Sequence, residues 1–521
     1  MKTATIRSLF PGLAVLLCLC ALSTHAQTRD RARDWPVSAP EAQGVDSTQL
    51  AATIEQARER GVNIHSLLIV RNGFLVTEAC FSPYDGKTPH DVASVTKSVT
   101  ATLVGMAIAD GKIAGVGQSA LSLYAGRAIA NQDARKEKIL VSHLLTMSSG
   151  LNCIARGGEP TLWEMLGHAN NTQFMLDLPM TADPGSGFTY CSGGMHLLSG
   201  ILSRVTGMNE EAYARRRLFA PLGIGAAPWP SDPQSVSHGF GNLHLTPRDM
   251  AKYGWLYLNK GRWNGKQIVP AAWIDTVTRA QIKTGNPREY GYGWWIPANG
   301  PVAYEASGRG GQQISVLPAL NTVIVLTGGG YNTGDVMKMI LPAIRTEKTL
   351  PANPAGVARL QAAVKAAATP LSRPFTPPPA IARTISGKTW DLERNWMGLE
   401  SVSLEFGQTD GPAQARLRFG PSLKQAQYGM SAKVRGQGSV TESRPVGLNG
   451  VPVLSGNGVF GYDVGMKGTW ESDSVFVLEY DEIANVNHYI LRLTFSGDTV
   501  AVHAKEQTGL FDEKFSGRAR P

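Results

Sequence analysis

The chain has 521 residues, with 50 lysines and arginines against 41 aspartates and glutamates, and a formal net charge of +9. This length is enough for two or three domains. The basic residues are scattered and form no run interleaved with aromatic residues, which argues against a nucleic-acid-binding protein.

The first 26 residues have the pattern of a secretory signal peptide. Lys2 and Arg7 precede an apolar run from 13 to 22, and the segment 24 to 26 resembles a small-residue cleavage site. The run is too short to cross a bilayer comfortably, and no later segment reaches spanning length without charges or breakers. We therefore expect cleavage near Ala26, a periplasmic or secreted protein, and no integral membrane segment once the signal is removed.

The segments that follow predict a mixed α/β domain with an antiparallel sheet. Residues 64 to 81 predict a β-hairpin, because Asn72-Gly73 between two apolar runs is a strong signal for a two-residue turn. Apolar spacing and capping residues predict the remaining elements. Helices are expected over 46 to 61, 94 to 109, 141 to 150, 172 to 178, 197 to 205, 246 to 258 and 336 to 345, and strands near 291 to 295, 314 to 317 and 323 to 326.

The composition changes after residue 350. An alanine-rich helix is predicted over 357 to 368, followed by a stiff proline-rich linker. Strands with period-two alternation come next, at 401 to 406, 415 to 419, 475 to 480, 489 to 495 and 499 to 504. This indicates an all-β domain, either a small barrel or a sandwich. The expected division is a signal peptide at 1–26, a mixed domain at 27–348, a linker at 349–380 and a β-rich domain at 381–521.

Ser94 and Lys97 form the only Ser-x-x-Lys in the sequence, at the start of a predicted helix. Side chains three residues apart share one face of a helix, and the positive end of the helix dipole lies near its first turn. That arrangement suits a nucleophile beside a base. Because one such pair arises easily by chance in a chain this long, the surrounding residues must carry the argument.

Further motifs accompany this pair in a fixed order. They are Ser94-Val95-Thr96-Lys97, His143-Leu144-Leu145, Ser149-Gly150-Leu151, Pro184-Gly185, Phe188-x-Tyr190-x-Ser192, Leu245-Thr246-Pro247-Arg248-Asp249-Met250 and Gly308-Arg309-Gly310-Gly311-Gln312. With this ordered set, residues 40 to 345 resemble the serine hydrolases of the class C β-lactamase and D-alanyl-D-alanine carboxypeptidase superfamily, most of all the esterase and 6-aminohexanoate-dimer hydrolase branch. The resemblance implies an α/β (α+β) fold of the β-lactamase/transpeptidase type, with an antiparallel sheet flanked by helices.

The resemblance also implies catalytic roles. Ser94 would be the acylated nucleophile, Lys97 the adjacent base and Tyr190 the second proton carrier. The oxyanion hole would use the backbone N–H of Ser94 and one from the strand near residue 309. The alternative for Tyr190 is a packed aromatic residue.

The motif after Tyr190 departs from the family pattern. Where the family has Tyr-x-Asn, this chain has Tyr190-Cys191-Ser192. Ser192 is shorter than asparagine and carries a single hydroxyl. It is a candidate for substrate binding, with capping of the following helix as the alternative.

The Lys-Thr-Gly motif is also altered. Its best match is Ala306-Ser307-Gly308, followed by Arg309. Ala306 cannot supply a positive charge to a substrate carboxylate, and Arg309 supplies one only after a shift of register. Ser307, Gly308 and Arg309 are therefore candidates for substrate binding, with ordinary strand positions as the alternative for Ser307 and Arg309. Both departures favour esters or linear amides over penicillins or peptidoglycan peptides.

Three cysteines remain after the signal peptide, namely Cys80, Cys153 and Cys191, so at most one disulfide forms. An exported protein permits it. The resemblance implies a bridge between Cys153 and Cys191 with Cys80 free. Three reduced cysteines are the alternative.

No metal-ligand spacing is found, so we expect no metal and no other cofactor. His143 and His196 lie in apolar helical contexts typical of core residues. The chain is interpreted as an exported serine hydrolase that cleaves ester or linear amide bonds of a small-molecule or peptide substrate through an acyl-enzyme on Ser94. The alternatives are a β-lactamase or D-alanyl-D-alanine carboxypeptidase, and a non-catalytic cell-wall binding protein. The sequence indicates no oligomeric state.

Overall fold

The computed structural model describes residues 35–154, 159–300, 302–346, 348–407, 411–420, 438–459 and 461–521. The predicted signal peptide at 1–26 lies outside these residues. Within them, no helix combines the length and the apolar composition that a bilayer span requires.

The first part of the chain, called the N-terminal domain below, consists of an antiparallel sheet covered by helices. Its helices are α1 (Ser47–Glu59), α2 (Thr96–Ala109), α3 (Val141–Leu145), α4 (Pro160–Leu166), α5 (Asn171–Asp177), α6 (Ser192–Thr206), α7 (Glu210–Ala214), α8 (Ala220–Leu222), α9 (Pro247–Leu258), α10 (Ala271–Val277), α11 (Thr333–Ile340) and α12 (Pro354–Ala367). Its strands are β1 (Ile64–Arg71), β2 (Phe74–Cys80), β3 (His90–Asp91), β4 (His244–Leu245), β5 (Arg262–Trp263), β6 (Lys266–Gln267), β7 (Arg288–Tyr290), β8 (Trp295–Pro297), β9 (Tyr304–Gly308), β10 (Gln312–Leu317) and β11 (Thr322–Gly328).

The main sheet has seven strands in the order β2-β1-β11-β10-β9-β8-β7. Each neighbouring pair is antiparallel. The predicted antiparallel sheet flanked by helices is therefore confirmed. Asn72 and Gly73 at the β1–β2 turn have φ values of 51° and 81°, and two successive positive φ values fit the type I′ turn that matches the twist of a hairpin.

Helices bury both faces of the main sheet. Alternate residues of β1 belong to two different apolar clusters: Leu67 and Ile69 pack with α1, α11 and α12, whereas Leu68 and Val70 pack on the side that holds α2, α6 and α9. Alternation of side chains along a strand produces this division. Helix α2 is buried along nearly its whole length. Its first turn is therefore packed inside the N-terminal domain, on the face of the sheet that Leu68 and Val70 cover.

The predicted linker at 349–380 is shorter in the structure. Helix α12 lies inside that range and packs on α1, burying Leu360, Ala363 and Ala367 in the same apolar cluster as Leu50 and Ile54. The stretch that links the two domains therefore begins only after α12. The alanine-rich composition, which predicted a helix over 357 to 368, also allows close helix–helix contact.

Two predicted elements of the N-terminal domain differ from the structure. Helix α3 ends at Leu145 rather than at Gly150, because the backbone oxygens of Met147 and Ser148 accept hydrogen bonds from Thr189 and Gly185 instead of continuing the helix. Helix α4 lies within the stretch 152 to 189, where only one helix was expected near 172 to 178.

The second part of the chain, called the β-domain, spans residues 380–521. It begins with α13 (Ala380–Ile385) and continues with β12 (Thr389–Leu392), β13 (Leu399–Glu405), β14 (Ala413–Phe419), β15 (Val440–Val446), β16 (Val453–Ser455), β17 (Val464–Ser472), β18 (Val475–Glu482), β19 (His488–Ser496), β20 (Thr499–Glu506) and β21 (Asp512–Ala519). The ten strands form one sheet in the order β15-β14-β13-β12-β21-β20-β19-β18-β17-β16. The predicted all-β domain and its five predicted strands are confirmed.

This sheet curls until its two ends meet. Gly447, directly after β15, exchanges backbone hydrogen bonds with Met466 and Gly468 of β17 at 3.1 and 2.9 Å. The inward side chains form one apolar core, and β14 alternates between buried and exposed positions along its length. The β-domain is therefore a nearly closed barrel, which leaves little strand edge exposed.

Candidate active site

Ser94 lies in a 3₁₀ turn, Ala93–Val95, that leads directly into α2. Its side chain is half-buried, whereas Asp91 and Ala93 before it are buried. The Asp91 carboxylate accepts a hydrogen bond from the Ala93 N–H at 2.8 Å. This contact supports the φ of 45° at Ala93, a left-handed conformation that a residue with a Cβ rarely adopts. The turn presents the Ser94 hydroxyl at the positive end of α2.

Lys97 lies one helical turn after Ser94 and is only 1% exposed. Its Nζ donates hydrogen bonds to Ser94 Oγ and to the backbone oxygen of Phe240, both at 2.8 Å. Burial lowers the pKa of Lys97 to about 8, and the Glu159 carboxylate opposes part of this decrease. A substantial fraction of Lys97 is therefore neutral near pH 8, as a proton acceptor for Ser94 must be.

Tyr190 lies two residues before α6. The Ser94 side chain acts on Tyr190 by favouring the charged form of its hydroxyl, and Lys97 Nζ lies 4.8 Å from the centroid of the Tyr190 ring. Burial raises the pKa of Tyr190 above the usual value, with a further increase from the nearby Glu159 carboxylate. Tyr190 is therefore protonated at neutral pH and can donate its proton to a leaving group.

Aromatic side chains hold Tyr190 in place. The Tyr190 ring stacks on Trp295 with centroids 6.2 Å apart and an interplanar angle of 13°. Trp295 also contacts Tyr290 at 4.8 Å and Phe188 at 6.0 Å, and the Arg288 guanidinium lies 4.6 Å from its centroid. This aromatic wall restricts the Tyr190 rotamer and gives the site an apolar side.

Strand β9 passes directly beside Ser94. A Cβ at Gly308 would lie 2.6 Å from the backbone oxygen of Val92 and 3.0 Å from the Ser94 nitrogen, so only glycine permits this approach. Strand β8 pairs with β9 only through Trp295 and Glu305, and the half-buried Ser307 follows on β9. The end of β9 therefore offers an edge next to the nucleophile, where an extended substrate can pair.

Arg309 points away from that edge. Its Nη2 donates to Asn487 Oδ1 at 2.8 Å, and its Nη1 donates to Glu506 at 3.5 Å and to Thr508. All three partners belong to the β-domain. The predicted role of Arg309 in binding a substrate carboxylate is corrected accordingly, because its guanidinium already forms an interdomain network.

Ser192 contacts a residue that sequence reasoning missed. Its hydroxyl donates to the Glu159 carboxylate at 2.7 and 3.1 Å, and it forms no side-chain cap on α6, whose capping residue is Cys191. Burial raises the pKa of Glu159, although Lys97 and Ser192 both favour its charged form. Glu159 immediately precedes Pro160 at the start of α4, and no motif signal points to it. The altered tyrosine motif thus brings a carboxylate to the site instead of an amide.

Cys153 and Cys191 form a disulfide, with their Cα atoms 5.7 Å apart and a sequence separation of 38. Cys191 directly follows Tyr190, and Cys153 belongs to the stretch that leads to Glu159. The bridge therefore ties the Tyr190 segment to the Glu159 segment. Cys80 is a free thiol whose pKa is raised by burial to about 12.

The two histidines singled out in the sequence, His143 and His196, have partners other than Ser94. His196 is fully buried and contacts Asp232 at 3.1 Å, as expected of a core residue. His143 Nδ1 accepts from the backbone of Leu140 at 3.2 Å. No cluster of three or more side chains suited to bind a metal ion is found in the part of the chain that the structure describes.

Comparison with known proteins gives a family match. The sequence model of the beta-lactamase family matches residues 50–338, which is more than half of the chain. The matched range contains Ser94, Lys97, Tyr190 and β9.

Two curated relatives cover the same part of the chain. The 6-aminohexanoate-dimer hydrolase of Paenarthrobacter ureafaciens is 26% identical over 292 residues, which cover 50% of this chain and 71% of that protein. Penicillin-binding protein 4 of Amycolatopsis lactamdurans is 25% identical over 287 residues, which cover 46% of this chain and 72% of that protein. Among solved structures, the octameric penicillin-binding protein homologue from Pyrococcus abyssi aligns with a TM-score of 0.47 and 17% identity, over 91% of this chain and 99% of that one.

Proposed function

Since the chain belongs to the beta-lactamase family and is a serine hydrolase that acts on amides or esters, we propose that it works through a covalent acyl intermediate on Ser94. One observation carries the proposal: a buried lysine with a lowered pKa donates a 2.8 Å hydrogen bond to a serine at the start of a helix. When Lys97 is neutral, its Nζ can accept the Ser94 hydroxyl proton through the same hydrogen bond.

The mechanism then proceeds in two halves. Neutral Lys97 accepts the proton of Ser94 while Ser94 Oγ attacks the substrate carbonyl. The Ser94 N–H and the end of β9 stabilise the developing oxyanion, and Tyr190 donates a proton to the departing amine or alcohol. Lys97 then passes the acquired proton to Tyr190, which restores the starting state of both groups. In the second half, water attacks the acyl-enzyme and gives a proton to Lys97, the bond between the acyl group and Ser94 Oγ breaks, and Lys97 returns that proton to Ser94 as the acid is released.

The substrate is proposed to be an ester or a linear amide without a carboxylate beside the scissile bond. Arg309 is engaged by the β-domain, and Ala306 stands where the family has lysine. The Glu159 carboxylate, which lies beside Ser192, would repel a carboxylate of the substrate that binds near it. The relative named 6-aminohexanoate-dimer hydrolase supports a linear amide, whereas the one named a penicillin-binding protein supports β-lactam recognition.

Export to the periplasm or the medium is also proposed. It is supported by the basic and apolar pattern of residues 1–26 and by the Cys153–Cys191 disulfide, since such bonds persist in oxidising compartments. Mass spectrometry of the protein recovered from the producing cell tests this: a mature chain that starts near Gln27 is expected, and a cytosolic full-length chain would overturn the proposal.

The nucleophile is tested by covalent labelling. A fluorophosphonate probe is expected to label the wild type at one site and to leave Ser94→Ala unlabelled, with Ser149→Ala labelled as in the wild type. Lys97→Ala is expected to lose about 10²–10⁴-fold in rate, the usual contribution of a general base. A wild-type labelling rate in Ser94→Ala would refute the assignment.

The substrate class is tested by a panel of nitrophenyl esters whose acyl chains end in a methyl, an amino or a carboxylate group, together with linear amides and a chromogenic cephalosporin. Neutral and amino-terminated esters and amides are expected to be cleaved faster than the carboxylate-terminated ester and the cephalosporin. The opposite order would favour a penicillin-recognising hydrolase.

A further inference from the structure

A turn of the β-domain lies against the segment that leads to Ser94. This turn, residues 482–487, joins β18 to β19. The backbone oxygen of Ala484 accepts a hydrogen bond from the backbone N–H of Asp91 at 2.9 Å. The Asp91 carboxylate in turn accepts from the Ala93 N–H at 2.8 Å. Two successive hydrogen bonds thus connect the β-domain to the residue directly before the nucleophile.

The β-domain also contacts β4, the strand that pairs with the segment before Ser94. Asp91 of β3 pairs with His244 of β4. His244 Nε2 lies 3.0 Å from the Tyr462 hydroxyl, and the two rings stack with centroids 5.7 Å apart. Tyr462 belongs to the β-domain, so both strands of the short β3–β4 pair are bound to it.

The turn also contacts residues 309–310, directly after the end of β9, the strand that lies beside Ser94. Asn487 accepts the 2.8 Å hydrogen bond from Arg309. Val486 packs so closely on Gly310 that a Cβ there would lie 2.4 Å from Val486 Cγ1. Gly310 follows the end of β9, where Gly308 approaches the Ser94 nitrogen to within contact distance. The 482–487 turn therefore contacts both the segment that precedes Ser94 in sequence and the end of β9, which lies beside Ser94 in space.

Internal contacts make the turn rigid. Ala484, Val486 and Asn487 are no more than 5% exposed. The Glu482 carboxylate, itself 1% exposed, accepts hydrogen bonds from Asn487 Nδ2 and from the Tyr489 hydroxyl, both at 3.2 Å. A buried and satisfied network of this kind has a single arrangement, so the turn can impose its geometry on what it contacts.

The segment before Ser94 requires such support. Ala93 has a φ of 45°, a conformation that persists in a residue with a Cβ only where the surroundings impose it. We propose that the 482–487 turn and Tyr462 are positioning elements of the active site, which hold residues 91–94 and the end of β9 in the geometry that Ser94 needs to react. Neither Tyr462 nor any residue of the 482–487 turn is among the groups that we assign to substrate binding or catalysis. This inference rests on the proposed function, because it takes Ser94 as the nucleophile.

The test uses single variants of the full chain. Val486→Ala removes the packing on Gly310, and Tyr462→Phe removes the hydroxyl that contacts His244 while it keeps the ring. Gln507→Ala is the matched control, since the Gln507 side chain bridges the same two domains by hydrogen bonds with Asn63 at 3.2 Å and Gly330 at 3.4 Å. For each variant, the rate of fluorophosphonate labelling and the kcat and KM for a neutral ester are measured well below its unfolding midpoint.

We expect labelling and kcat to fall about tenfold in Val486→Ala and by a smaller factor in Tyr462→Phe, because small misplacements of a reacting group are costly, while KM changes less than twofold. Gln507→Ala is expected to keep wild-type rates even if its melting temperature falls. The inference is overturned if Val486→Ala and Tyr462→Phe melt earlier yet label at the wild-type rate, or if Gln507→Ala loses as much activity as they do. Failure of the proposed function has a different signature, namely a wild type that the probe does not label at Ser94.

Discussion

The protonation state of Lys97 determines the pH range in which this site can work. Only the neutral amine accepts the Ser94 proton, and burial lowers the pKa of that amine to about 8. We therefore expect kcat/KM for a neutral ester to rise tenfold per pH unit below about pH 8 and to level off above it. A pH profile between 6 and 9.5 measures this limb. A flat profile over the whole range would mean that Lys97 is not the base.

Glu159 modulates this protonation. Its carboxylate acts against the burial that lowers the pKa of Lys97, so Glu159→Gln removes a charge that favours the protonated amine. The amide oxygen of glutamine can still accept the Ser192 hydrogen bond. We expect the acidic limb of kcat/KM to move to lower pH in Glu159→Gln. The matched control is Glu164→Gln, a change at an exposed position on the same helix, which should leave the limb where it is.

Sequence reasoning at the residue scale succeeded where a motif encoded the contact. Ser94 and Lys97 were candidates because three residues of helix bring two side chains onto one face, and their 2.8 Å contact follows from that spacing. Glu159 and the backbone oxygen of Phe240 carried no such signal. They reach Lys97 from distant loops, and a carboxylate in a loop looks like any other exposed residue until the fold buries it.

The close approach of β9 to the Ser94 turn should be necessary for activity, and a substitution at Gly308 tests this. Gly308→Ala places a Cβ 2.6 Å from the backbone oxygen of Val92 and 3.0 Å from the Ser94 nitrogen, so the strand or the nucleophile turn must shift. We expect a loss of activity of at least about tenfold, because a displaced oxyanion donor is costly. Gly225→Ala, where a Cβ meets open space, should keep wild-type activity. Equal activities of the two variants would show that β9 has room to adjust.

The disulfide connects two elements of the site, so its loss should affect activity as well as stability. On the chain-entropy estimate, closing a loop of 38 residues stabilises the fold by about 3–4 kcal/mol. Under increasing dithiothreitol, we expect the labelling rate to fall while the far-ultraviolet circular dichroism is still native. Cys80→Ser should respond in the same way as the wild type. Simultaneous loss of activity and fold would mean that the bridge serves stability alone.

Elements with strong local signals were predicted well. Helix α1 begins after Asp46, whose carboxylate accepts from the Gln49 N–H as a cap should, and the hairpin turns at Asn72-Gly73. The misjudged elements depend on tertiary contacts. Helix α3 ends early because the carbonyls of Met147 and Ser148, which follow it, bond to the loop before α6, and α12 belongs to the N-terminal domain because it packs on α1.

At the scale of the whole molecule, the two domains share one polar network. The sequence separated them at a change of composition, and in the structure the inward side chains of the β-domain form an apolar cluster of their own. The sequence could not indicate that Arg309 of one domain binds Asn487 and Glu506 of the other, because no local pattern marks a contact between residues so far apart in sequence. In that network the Arg309 guanidinium binds residues of the β-domain.

This coupling predicts a single unfolding transition for both domains. Glu506 is 0% exposed and contacts Arg309 across the interface at 3.5 Å. Removal of one partner from a buried ion pair typically costs about 3–5 kcal/mol, and the partial exposure of Arg309 reduces this cost toward about 2 kcal/mol. In calorimetry, we expect one transition for the wild type and an earlier or split transition for Arg309→Ala. Arg520→Ala is the control, because it breaks an exposed pair with Asp391 within the β-domain, and exposed pairs contribute little to stability. If Arg309→Ala melts like Arg520→Ala, the network contributes little to the union of the domains, and other contacts between them, such as those of Val486, Tyr462 and Gln507, hold them together.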